Sequence, residues 1–181
     1  MQIENSCAIV TGAASGLGEA TARHFAKSGA QVTLLDRDTE RGETVANELG
    51  GTFVETDVTD EHSVAQAIAH AETAMGKITV AVNCAGIALG IKTVGRDGAH
   101  PLEEFRRTID INLNGTFNVA RLAAASMQKN VPDEDGACGV IINTASIAAF
   151  DGQKGQTAYA ASKGGVAGMC LPMARDLASL G

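Results

Sequence analysis

The chain has 181 residues, enough for one domain whose core buries roughly 70% of the extended chain's surface. Its formal charge of −7 comes with no basic run and no aromatic-basic interleaving, which argues against nucleic acid as a partner. Apolar residues make up 45% and aromatics 3%, beside 21 glycines, so the interior is built from Ala, Val, Ile and Leu on closely approaching backbones, a composition that suits stacked α/β layers.

Residues 1–6 lead almost directly into the first apolar run, leaving no room for a signal peptide or an Arg-rich presequence. No apolar run approaches the roughly 20 residues that span a bilayer, so a soluble, intracellular protein without a membrane partner is expected. Apolar runs at 7–10, 32–35, 53–54, 78–82 and 139–142 read as strands. Helical segments fall at 16–28, 39–49, 61–75, 101–129 and 157–180. The 101–129 helix is long enough to contain a bend, and Pro172 is expected to kink the last helix or leave a carbonyl unpaired. Two polar stretches, 90–100 and 130–136, read as surface insertions. Strands alternating with helices, without hairpin signals, predict a single α/β domain over 1–181, a doubly wound parallel sheet of order 3-2-1-4-5. Cys7, Cys84, Cys138 and Cys170 lack Cys-x-x-Cys spacing and the four histidines are scattered, so no disulfide or metal is expected and the thiols read as reduced and mostly buried.

Thr11-Gly-Ala-Ala-Ser-Gly-Leu-Gly18 follows the first strand and opens the first helix, the context a phosphate-binding turn requires. Gly12 permits the tight turn, Gly16 lets the backbone approach a pyrophosphate and Gly18 lets the helix pack on the sheet, with Ser15 and Leu17 in the same amide-lined turn. Asp36 closes the second strand 18 residues beyond Gly18, where a carboxylate accepts from both ribose hydroxyls of an adenosine and repels a 2′-phosphate. This favours NAD over NADP, although Arg37 beside it works the other way. Asp57 and Val58 after the third strand, and Asn83, Ala85 and Gly86 after the fourth, sit where ligands bind in open α/β sheets. Asp57 reads equally well as a helix cap, and residues 83–86 as a plain turn.

Tyr159 is the single tyrosine and Lys163 follows it four residues later, so on a helix the two share a face. A neighbouring cation favours phenolate, which brings a tyrosine toward proton exchange with an alcohol near working pH. Ser146, thirteen residues upstream at the end of an apolar run, is placed to hydrogen-bond the same substrate oxygen. Taken alone, the Tyr-x-x-x-Lys spacing also occurs in ordinary helices, and the glycine-rich turn supplies its context.

These motifs in this order resemble the short-chain dehydrogenase/reductase family along the whole chain. Asn83-Cys-Ala-Gly-Ile-Ala, Leu113-Asn-Gly-Thr-Phe-Asn-Val and the stretch from Gly139 to Gln156 resemble its type-2 3-hydroxyacyl-CoA dehydrogenases. The resemblance implies a Rossmann-type fold and oxidation of a 3-hydroxyacyl-CoA, or a similar secondary alcohol, to the 3-keto compound by NAD. Tyr159 is then the base, Ser146 holds the alcohol oxygen, Lys163 acts on Tyr159 and the nicotinamide ribose, and Asn112 holds a water linking Lys163 to solvent. Gln153 and Gln156 fall in the expected active-site loop, with Gln156 a candidate acyl contact. The resemblance also implies a homo-tetramer with helices 101–129 and 157–180 in one interface. Its setting is cytoplasmic, or the mitochondrial matrix in a eukaryote. Relatives continue past this length, so the family's last two strands, substrate lid and second interface are expected to be missing, leaving the fifth strand as an exposed edge. Two alternatives stand beside this reading: an NADPH-dependent 3-ketoacyl-thioester reductase, and a non-catalytic NAD-binding or interaction protein.

Overall fold

A computed structural model describes residues 2–181. Five parallel strands, β1 (Cys7–Thr11), β2 (Gln31–Asp36), β3 (Thr52–Glu55), β4 (Val80–Asn83) and β7 (Val140–Asn143), form one sheet of order β3-β2-β1-β4-β7. This is the expected 3-2-1-4-5 order, and the sequence positions of all five strands agree to within two residues at each end. Two further strands, β5 (Val94–Gly95) and β6 (Gly98–Ala99), form a separate antiparallel hairpin inside the 90–100 insertion. No hairpin was expected there, because two residues per strand are too few to show a period. Gly98 supplies the positive φ of 111° at the turn. The hairpin is tied down where Thr93 Oγ1 meets Thr157 Oγ1 at 3.2 Å.

Side chains alternate across the sheet, and each face buries its own helices. Ala8, Val10, Val32, Leu34, Val80 and Val82 pack with Ala22 and Phe25 of α1 (Gly16–Lys27) and Val45 and Ala46 of α2 (Thr39–Leu49). Ile9, Leu35 and Ala81 pack on the other face with Val64, Ala67, Ile68 and Ala71 of α3 (Glu61–Met75). Val119, Ala123 and Met127 of α5 (Gly115–Met127) complete that layer. Asp38 and Asp60 cap α2 and α3 by accepting from the amides of Arg41 and Ser63, and Gly50 and Gly76 end these helices in left-handed geometry. Asp57 is therefore not the cap of α3.

The long helix expected over 101–129 is α4 (Leu102–Ile109), a π-helical turn over Asp110–Asn114, and α5. The wider turn takes the place of a bend and re-aims the side chains within it. The last helix, α6 (Thr157–Leu177), contains Pro172 and packs against α4, the π turn and the short 3₁₀ turn Ile147–Ala149. Strand β7 is an edge, and Val140 and Ile142 on it are about two-fifths exposed at 40% and 45%, as the sequence implied. Of the cysteines, Cys7 and Cys138 are buried, Cys84 is half-buried, and Cys170 on α6 is exposed. No helix among the described residues is long and apolar enough to cross a membrane.

The core is close-packed at the sheet centre, which sets a stability contrast. Ile9→Ala, at a fully enclosed position, is expected to cost about 2–5 kcal/mol. Val131→Ala, on the exposed 130–136 insertion, should stay within about 0.5 kcal/mol of the parent. Urea unfolding of the two variants measures both.

Candidate active site

All five parallel strands end on one edge, and the loops leaving β1 to β4, together with α4 and the π turn, form a cleft of about 440 Å³. Gly12, Ser15, Gly16, Leu17, Gly18, Asp36, Asp57, Val58, Ala85 and Gly86 line it, all expected from the sequence, together with Arg37 and Cys84. Asn83 is buried beneath this surface at the end of β4, where its Nδ2 donates to Asn143 Oδ1 at 2.9 Å. A Cβ on Gly12 would lie 2.9 Å from the Ala85 backbone, and one on Gly18 would overlap the Gly12 carbonyl. Gly16, at φ +56°, has open space in front of it, where the turn presents its backbone to a ligand.

Asp36 is fixed by two amides. Its Oδ2 accepts from Ala14 N at 2.9 Å and its Oδ1 from Asp38 N at 3.0 Å, so the β2 carboxylate braces the glycine-rich turn. Arg37 reaches toward Asp57, with Nε 3.7 Å from Oδ2, while Asp57 Oδ1 accepts from the Thr59 amide and hydroxyl. Partial burial alone would raise the Asp57 carboxyl. The Thr59 hydrogen bonds and the Arg37 charge outweigh it and hold Asp57 below the usual carboxylate range. Val58 is buried in the core, with its carbonyl taken by Asn118 Nδ2 at 3.0 Å.

Beyond the cleft, Lys163 is buried at 5% exposure, its Nζ donating to the Thr144 carbonyl at 2.6 Å and lying 5.8 Å from the centre of the Tyr159 ring. Burial pushes the ammonium below the ordinary lysine range, opposed by the nearby Cys84 sulfur. Ser146 caps the 3₁₀ turn, its Oγ accepting from Ala148 N at 3.1 Å, which leaves the hydroxyl proton for another acceptor. This turn packs on α6, so Ser146, Tyr159 and Lys163 share one region. Gln156 precedes α6, and its Oε1 accepts from Gln153 N at 2.9 Å, ordering the loop before Tyr159.

Asn112, fully enclosed in the π turn, uses its side chain as a brace: Oδ1 accepts from Ile87 N at 2.8 Å, and Nδ2 donates to Ile87 O at 2.9 Å and to Ser162 Oγ at 3.0 Å. Three contributors escaped the sequence reading. Thr11 Oγ1 accepts from the amides of Cys84 and Ala85, both at 3.1 Å, joining the ends of β1 and β4. Ser162 and Thr144 hold α6. Thr11 and Ser162 stand inside the motifs themselves, as first residue and as neighbour of Lys163, which was the one signal available.

The short chain dehydrogenase family profile matches residues 6–181. The chain belongs to that family. It is therefore an oxidoreductase acting on secondary alcohols or their ketones, with a nicotinamide dinucleotide as cofactor. It is 52% identical to the rat protein named 3-hydroxyacyl-CoA dehydrogenase type-2, over 99% of this chain and 70% of that one. The Drosophila melanogaster protein of the same name is also 52% identical, over 99% of this chain and 72% of its own. A crystal structure of 3-hydroxyacyl-CoA dehydrogenase type-2 from Mycobacterium avium superposes with a TM-score of 0.93 at 46% identity, covering 98% of this chain and 71% of that one. A 7α-hydroxysteroid dehydrogenase complexed with NADH and 7-oxo glycochenodeoxycholic acid gives 0.87 at 31% identity, covering 99% and 68%.

Two outcomes are expected from this geometry. Gly18→Ala must displace the Gly12 carbonyl, so NADH affinity, read by fluorescence titration on folded protein, falls by more than about tenfold. Asp57→Asn lowers the thermal midpoint at pH 7, and the gap closes as pH falls below about 4. A depressed carboxylate stabilises above its unfolded value and loses that contribution as the folded value is passed.

Proposed function

We propose that this chain oxidises the hydroxyl of a 3-hydroxyacyl-CoA to the 3-keto thioester, with NAD as acceptor, and assembles as a homo-oligomer through α4 to α6, whose outer faces leave Leu102, Phe117 and Leu171 exposed. The observation that carries the chemistry is the buried Lys163 ammonium beside the Tyr159 ring, next to a glycine-rich cleft. The nicotinamide would supply the hydride acceptor. Tyr159, as phenolate, takes the alcohol proton, while Ser146 donates its hydroxyl proton to the substrate oxygen and holds the carbinol in place. Lys163 stabilises the negative charge on the tyrosine oxygen and keeps the ring oriented. The Asn112 amide is spent on Ile87 and Ser162, so a water relaying protons to Lys163 would be held by its main-chain carbonyl, which also accepts from Thr116 Oγ1 at 2.7 Å.

The glycine-rich turn fits a pyrophosphate, since Gly12 and Gly18 let the turn pack against the Ala85 backbone and the Gly12 carbonyl while open space lies in front of Gly16. Asp36 supports NAD over NADP because its carboxylate faces the cleft and repels a 2′-phosphate, while Arg37 is drawn toward Asp57. The thioester class is supported by the two relatives at 52% identity.

NADH formation at 340 nm from 3-hydroxybutyryl-CoA and NAD tests the reading. The parent should turn over, and Tyr159→Phe should lose at least about 10²-fold in kcat while still binding NADH. Normal turnover in that variant, or none in the folded parent, overturns the proposal. Tighter binding of NADPH than NADH removes the Asp36 argument.

A further inference from the structure

Ser162 lies between Tyr159 and Lys163 and is fully enclosed, yet its hydroxyl makes two contacts. It donates to the Tyr159 main-chain carbonyl at 2.7 Å and accepts from Asn112 Nδ2 at 3.0 Å. The direction of this chain is forced. Ile87 N only donates and Ile87 O only accepts, so the Asn112 amide that meets both has one orientation, with Nδ2 toward Ser162. A hydroxyl has one proton, and with that proton on the Tyr159 carbonyl a lone pair faces Asn112.

We propose that Ser162 is a positioning residue for Tyr159, one link of a polarised chain from Ile87 through Asn112 and Ser162 to the Tyr159 backbone. The proposal rests on reading Tyr159 as the proton carrier. Lys163 ties α6 to the end of β7 through Thr144, and Ser162 ties the same turn to the loop after β4 through Asn112. Packing on α4, the π turn and the 3₁₀ turn holds the body of α6, and the two consecutive ties toward different loops add the directional constraints that fix where the Tyr159 ring stands. Without the hydroxyl, one N–H of Asn112 has no partner in a place water does not reach, and the helix turn shifts to relieve it.

Ser162→Ala is compared with Val166→Ala, a second fully enclosed position on α6 that takes no part in the chain. Because the protein has one tyrosine, incorporated 3-fluorotyrosine gives a single fluorine resonance from Tyr159. In Ser162→Ala, kcat for 3-hydroxybutyryl-CoA falls about tenfold while the Kd for NADH stays within about twofold, and the fluorine line shifts or broadens. Val166→Ala lowers the thermal midpoint but leaves kcat and the line in place. Equal kcat losses in the two variants at matched midpoints, or an unmoved line in Ser162→Ala, overturn the assignment. No turnover in the folded parent would sink the dehydrogenase reading instead, and the fluorine line alone then decides the positioning role.

Discussion

An ammonium enclosed at 5% exposure is the demand around which the site is assembled. Removing Lys163 from water costs several kcal/mol unless strong partners replace the solvent, and here the Thr144 carbonyl, just past the end of β7, does so. Three elements must therefore converge: the end of β7, the loop after β4 and the first turns of α6. Gly86 is part of the same demand. A Cβ there would stand 3.2 Å from Asn112 Oδ1 and 3.8 Å from Lys163 Nζ, so the glycine leaves room for both side chains.

The glycine-rich cleft obeys a different constraint, the mutual bracing of loops at the carboxyl ends of parallel strands. Thr11 joins the loops after β1 and β4 through two amides, and Asp36 joins the loop after β1 to the end of β2. These bonds hold the glycine-rich turn open before any ligand arrives, so little ordering is left for binding to supply. The charge pattern follows: the Asp36 and Asp57 carboxylates line the cleft, while the buried Lys163 cation sits beyond it.

Much of this was legible because it is local. The parallel order followed from strands alternating with helices, and Thr39–Leu49 and Glu61–Met75 are bounded as their Asp caps and Gly stops dictate. Gly12 and Gly16 adopt the positive φ that their place in the motif implied. The hairpin at Val94–Ala99 was hidden by its shortness, and the π turn at Asp110–Asn114 by its compatibility with an ordinary helical pattern. Arg37 read as a neighbour of Asp36 in sequence, yet its Nε lies 3.7 Å from Asp57 Oδ2, a partner supplied by the loop after β3.

By itself, then, the sequence determined the layer order, the glycine cradle, the carboxylate closing β2 and the sharing of one helix face by Tyr159 and Lys163. Each depends on a period, a backbone angle or a spacing of a few residues. Only the tertiary structure decided that Asn112 spends its amide on Ile87 and Ser162, and that Thr11 locks to Cys84. Those partners are separated by 25, 50 and 73 residues, and their meeting depends on strand register and side-chain direction, which no local pattern carries.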